Sequence, residues 1–147
     1  MIKLILVDDH PQVRAGLSSI LEGLNQMVVV AQAENGQELL NLLAKGIAAD
    51  MVLSDVEMPV MDGVSMLSKV AILYPDLFVV MLSMNDRGDA VTRAFALGAK
   101  GFISKSIDLE LLCSAIVYMH ANPGQFSCGL PQGIESCFTA IDQLILA

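Results

Sequence analysis

The chain has 147 residues, enough for one domain with its own core. Hydrophobic residues make up 54% and charged residues 16%, and 16 acids against 8 bases give a formal net charge of −8, which argues against a nucleic-acid surface because Lys and Arg mainly hold phosphate backbones. No uninterrupted apolar run is long enough to span a bilayer and the N-terminus lacks a signal-peptide layout, so a soluble, cytoplasmic chain with no membrane contact is expected.

From the N-terminus, Ile2 to Val7 predicts a strand, and Pro11 sits where the first turn of a helix accepts it. Val13, Leu17, Ile20, Leu21 and Leu24 follow at helical spacing, with Gly23 near the stop. Met27 to Ala33 reads as a second strand, and Asn35-Gly36 turns the chain into a helix from about Gln37 to Lys45. Asp50 to Ser54 is the third strand, followed by a helix carrying Val64, Leu67, Val70 and Ala71. Leu77 to Leu82 is the fourth strand, and its helix bears Val91, Ala94, Phe95 and Leu97 before Gly98. Lys100 to Ile103 is a short fifth strand, and a last helix runs from about Asp108 to Met119. Five βα units predict an α/β fold, a doubly wound parallel sheet with helices on both faces. Beyond His120 the pattern fails. Asn122 to Glu135 holds three Gly and two Pro and reads as a linker, and Ser136 to Ala147 reads as a short amphipathic helix or part of one. The expected division is a domain over 1–121 and a linker with a short C-terminal helix over 122–147.

The third strand poses a problem. "VLSDVEMPVMDG" places a carboxylate, Asp55, at the end of an apolar strand, and burying an unpaired carboxylate is costly. The other strand ends answer it. The first strand ends in Asp8-Asp9, the fourth in Ser83 and the fifth in Ser104-Lys105, and in such sheets ligands gather beyond the carboxyl ends of the strands. Three carboxylates suit Mg2+, a hard cation that binds through carboxylates, water and phosphate oxygens. Asp55 then has a job as a nucleophile toward phosphorus, with the metal and Lys105 stabilising charge on the phosphoryl oxygens and Ser83 hydrogen-bonding the new group. Taken singly, Asp8-Asp9 before Pro11 reads as a helix cap, Asp55 as a loop acid, Ser83 as a turn residue and Lys105 as a surface lysine. Joint placement at successive strand ends favours the functional reading. His10 reads as a solvent-facing neighbour rather than a ligand. Cys113, Cys128 and Cys137 show no CxxC spacing and read as reduced structural thiols.

"ILVDDHPQVRAGL", "VLSDVEMPVMDG", "VVMLSM" and "ALGAKGFISK" match, in order and spacing, the receiver domain of two-component response regulators, the CheY-like fold. The resemblance covers about residues 1 to 120, and "DDHP" with "GAKGFISK" resembles the subfamily that usually carries a LuxR-type helix-turn-helix output domain. It implies a flavodoxin-like five-stranded sheet in the order 2-1-3-4-5. It also implies Asp55 as phosphoacceptor, Asp8 and Asp9 as the acidic pair around Mg2+, and the backbone carbonyl of Glu57 as a further metal ligand. Ser83 matches the switch hydroxyl, Lys105 the lysine of the site, and Phe102 the aromatic that changes rotamer on activation. The implied role is not a classical enzyme but a phosphoacceptor that takes part in its own phosphorylation and dephosphorylation, with a sensor histidine kinase as donor and transcription as the output.

Three features depart from the family pattern. Ser106 stands where many members have proline, Glu57 and Asn85 occupy positions that tune phosphate lifetime, and too few residues follow for an output domain. Two other functions compete: a Mg2+-dependent phosphohydrolase resembling the haloacid-dehalogenase type, and a receiver-like module that binds partners without phosphate. The phosphohydrolase wants a second Asp two residues after the nucleophile, where this chain has Glu57. All eight bases lie at or before Lys105, so the C-terminal part is not expected to touch DNA directly. Its apolar helix "LELLCSAIVYM" and the tail "FTAIDQLILA" instead suggest a homodimer or partner contact.

Overall fold

The computed structural model describes residues 1–139 apart from Asn25 and Pro59, with side chains as far as Glu135. Strands β1 (Ile2–Val7), β2 (Met27–Ala33), β3 (Met51–Asp55), β4 (Val79–Ser83) and β5 (Gly101–Ser104) alternate with helices α1 (Pro11–Glu22), α2 (Gly36–Ala44), α3 (Gly63–Leu73), α4 (Gly88–Ala96) and α5 (Leu109–Ala121). These ten elements fall where apolar periodicity predicts them, with ends moved by a residue or two. The helix ends follow local chemistry: Asn35, Asp62 and Asp108 cap α2, α3 and α5 by accepting backbone N–H groups of Glu38, Ser65 and Leu111.

Two further strands, β6 (Gln125–Leu130) and β7 (Gly133–Thr139), extend the sheet to the order β2-β1-β3-β4-β5-β6-β7. The expected order 2-1-3-4-5 is present within it. β6 runs parallel to β5, with Phe102 opposite Cys128, and β7 returns antiparallel to β6. The linker reading of 122–135 is therefore corrected: most of that segment is a strand and the turn after it. A helix over 136–147 is corrected as far as Thr139, which is strand, and residues 140–147 lie outside the described residues.

Glycine and proline misled the reading because here they serve a hairpin. Pro131 lies in its turn, and Gly133 after it adopts φ 144°. Gly129 lets α5 approach the sheet, since a Cβ there would lie 3.1 Å from the Ala115 Cβ and 3.2 Å from the Ile107 Cδ1.

Each face of the sheet has its own core. Ile5, Val52, Met81 and Phe102 pack with α2, α3 and α4 through Leu39, Leu67, Val70 and Phe95. Leu4, Leu6, Leu53 and Ile103 pack with α1 and α5 through Leu21, Leu112, Ile116 and Met119. The hairpin joins the first core through Phe126, whose ring meets that of Phe95 edge-on at 5.1 Å. The added strands help explain why α5 is apolar over so much of its surface: it faces β6 and Ile134 of β7 as well as β5. Among the described residues no helix is long and apolar enough to cross a membrane.

Candidate functional site

Strand order brings the chemistry together. Val7 and Ser54 are register partners on β1 and β3, so Asp8 and Asp55 emerge side by side at the sheet's carboxyl edge. Ser83 and Ser104 are partners on β4 and β5, and the Lys105 N–H bonds the Ser83 carbonyl at 2.9 Å. The four strand ends therefore form one continuous rim.

Asp8 and Asp55 are both buried, and Lys105 answers them. Its Nζ lies 2.8 Å from Asp55 Oδ2 and 3.5 Å from Asp8 Oδ2. Burial alone would lower the Lys105 pKa; the hydrogen bond and charge of Asp55, with Asp8 behind it, outweigh this and hold it above the ordinary value of 10.5. The costly strand-end carboxylate thus has a cation in direct contact.

Asp8, Asp9, His10 and Asp55 each offer a ligand atom, all within 4.8 Å of one another. Asp9 Oδ1 is buried with no hydrogen-bond partner among the described residues, which fits an oxygen reserved for a cation. The oxygen-rich set suits Mg2+. His10 is more involved than the sequence suggested: its ring is largely exposed, but Nδ1 sits 3.2 Å from Asp8 Oδ1 and 3.1 Å from Asp9 Oδ1. A proton on Nδ1 makes His10 a hydrogen-bond donor to Asp8 Oδ1, which also accepts the His10 backbone N–H at 2.8 Å, while Asp9 Oδ1 is close to the ring but receives no hydrogen bond.

Two supporting residues escaped the sequence reading. The guanidinium of Arg14 bonds the Asp8 carbonyl at 2.5 Å and fixes the acidic turn from below. Gly63 permits α3 to approach the end of β3, because a Cβ there would come within 2.6 Å of the Asp55 carbonyl oxygen and of Met81 Cε. The Asp-Gly pair at 62–63 is a turn signal in the sequence, but only packing gives Gly63 this reason. Arg14 had one clue, its place three residues after Pro11 among only eight bases.

Ser83 and Phe102 stand apart from the acids. The Ser83 oxygen accepts the Asn85 backbone N–H at 3.0 Å. Phe102 is buried on β5, and both residues line a cleft of about 230 Å³ between β4 and α4, with Glu57, Asn85 and Arg93. Glu57 is exposed and lies outside the cluster of ligating side chains, so among the described residues no side-chain acid follows Asp55 into the site as the phosphohydrolase reading required. Cys113 and Cys128 are buried in the cores, and burial pushes the Cys113 thiol up.

Residues 4–117 match the response regulator receiver domain family. The response regulator GacA of Pseudomonas aeruginosa is 34% identical over 132 residues, covering 90% of this chain and 61% of that protein. The transcriptional regulatory protein LnrK of Bacillus subtilis is 34% identical over 121 residues, covering 82% of this chain and 54% of that protein. The chain thus spans between half and two thirds of the length of these curated relatives. The isolated receiver domain of RcsB from Salmonella enterica serovar Typhimurium, solved with the phosphomimetic BeF3-, superposes with a TM-score of 0.73 at 26% identity, covering 82% of this chain and 88% of that one. RcsB has also been solved as two dimers bound to two parallel DNAs, where it superposes with a TM-score of 0.74 at 26% identity over 82% of this chain and 61% of that one.

Proposed function

This chain belongs to the response regulator receiver domain family of two-component signalling, and on that premise we propose that Asp55 accepts a phosphoryl group from a sensor histidine kinase and thereby switches the domain to control an output, transcription by kinship with its relatives. An Asp55 oxygen forms its bond to phosphorus as the donor's nitrogen–phosphorus bond breaks; the imidazole nitrogen keeps that electron pair and takes up a proton. Asp8, Asp9, Asp55 and the Glu57 backbone carbonyl would hold Mg2+. When bound, the ion supplies positive charge to the phosphoryl oxygens. Lys105 orients Asp55 beforehand through the 2.8 Å contact and then turns to the transferred group.

The observation that carries this reading is the buried Asp55 between Asp8 and Lys105 at the sheet's carboxyl edge. For the switch, the Ser83 hydroxyl would move to the phosphoryl group, and the cleft beside Phe102 gives that ring space to follow. The finer limits are read the same way: a receiver over 1–121, now carrying the β6–β7 hairpin, and no direct DNA contact by residues 1–147. A second copy would dock through α5, where Leu109 and Val117 are exposed beside a groove shared with Ile20 and Leu24 of the α1 side; the tail beyond Thr139 lies outside the described residues.

The test is a small phosphodonor such as acetyl phosphate with Mg2+, followed by intact mass. One phosphoryl group should add, and Asp55→Asn, which keeps the shape but not the nucleophile, should abolish it. Undiminished labelling of the Asn variant would sink the assignment. Steady turnover of many phosphomonoesters would favour a phosphohydrolase, and no labelling at all a phosphate-independent module.

A further inference from the structure

The loop between β4 and α4 is tied down at three points. Two ties are local: Asn85 N–H to the Ser83 hydroxyl oxygen at 3.0 Å, and Arg87 N–H to Asn85 Oδ1 at 3.3 Å. The third crosses to the neighbouring strand. Ser104, the last residue of β5 and fully buried, donates its hydroxyl to Asp86 Oδ2 at 2.8 Å while its oxygen accepts the Ser106 N–H at 3.1 Å. A hydroxyl given to a carboxylate makes a charge-assisted bond, stronger than a neutral one. Ser104 also precedes Lys105 directly and faces Ser83 in register.

We propose that Asp86 and Ser104 are positioning residues that latch this loop in the arrangement where Asn85 holds the Ser83 hydroxyl. The proposal rests on reading Asp55 as the phosphoacceptor and Ser83 as the hydroxyl that responds. For Ser83 to turn toward a phosphoryl oxygen, the Asn85 N–H must give up its acceptor and the loop must shift. The 2.8 Å bond from buried Ser104 opposes that shift, because Asp86 lies one residue beyond Asn85. The latch therefore favours the unphosphorylated arrangement, and a phosphoryl group must overcome it through the contacts it gains.

Two measurements on the 147-residue protein test this. Without any phosphodonor, Ser104→Ala and Asp86→Ala should each raise hydrogen exchange at the Asn85 and Arg87 amides and leave β1 and β3 amides unchanged. Asp86→Asn, which keeps an oxygen acceptor for Ser104, should restore most of the protection. With Mg2+ and beryllofluoride as the probe, each Ala variant should bind about twelvefold more tightly, equivalent to about 1.5 kcal/mol for one such bond to a charged group. The double variant should bind no more tightly than either single one, since both remove the same contact. Unchanged exchange at Asn85 and Arg87, or equal or weaker beryllofluoride binding in variants of a wild type that binds it, overturns the latch. A wild type that takes neither phosphoryl group nor beryllofluoride overturns the Asp55 reading instead, and exchange alone then decides the latch.

Discussion

Replacing Phe126 by alanine asks whether residues 125–139 are structure or linker. The Phe126 side chain is 4% exposed and meets Phe95 of α4 at 5.1 Å, so the substitution empties a ring-sized volume in the core that also holds Phe102. Phe→Ala in a packed core costs about 3–5 kcal/mol, of which the ring pair accounts for about 0.5–1.5. In a linker the same change would fall within about 0.5 kcal/mol. Urea unfolding followed by far-UV circular dichroism separates these outcomes. With a slope of about 2 kcal/mol per M, the midpoint should fall by about 1.5–2.5 M. A domain of ordinary stability, about 5–15 kcal/mol, stays folded enough in water for the shift to be read. Gln132→Ala, at the exposed turn between β6 and β7, is the control and should leave the midpoint in place. A shift below about 0.5 M for Phe126→Ala would refute the claim that the hairpin completes the core.

Gly63→Ala should destabilise by about 1–3 kcal/mol, because its new Cβ would press on the Asp55 carbonyl and Met81 at 2.6 Å; urea midpoints and phosphodonor labelling should fall together. Lys105 has a folded-state pKa raised above 10.5, so its ion pairs contribute stability that is fully present below 10.5 and lost as pH rises through the folded value. Wild-type unfolding midpoints should therefore decline in that alkaline window, and Lys105→Met should lack this part of the decline. Ser83→Ala should still be labelled at Asp55 but lose the phosphate-dependent NMR shifts around Phe102; identical shifts in the variant would mean that another group carries the signal. The Cys113 thiol, pushed up by burial, should react slowly with thiol reagents at neutral pH in the folded protein and fast in urea, as a timed labelling assay would record.

The sequence by itself determined the alternation of five strands and five helices, because apolar runs and helical spacing are local and each unit carries its own start and stop. It also placed Asp8, Asp9, Asp55, Ser83 and Lys105 at strand ends, and a parallel sheet puts all such ends on one edge. Tertiary structure decided what depends on neighbours distant in sequence. The β6–β7 hairpin was illegible because its glycines and Pro131 read locally as breaks, and only the approach of Ala115 and Ile107 explains Gly129. Arg14 became a support for Asp8, and His10 a hydrogen-bond partner of Asp8, once β1 and α1 met at the turn. The bond from Ser104 to Asp86 joins the end of β5 to the loop after β4, and the pairing of β4 with β5, where Ser104 faces Ser83, brings that loop within 2.8 Å. Periodicity records which face of an element is apolar; which carboxylate finds which hydroxyl is settled by packing, where burial makes an unpaired polar group too costly to leave alone.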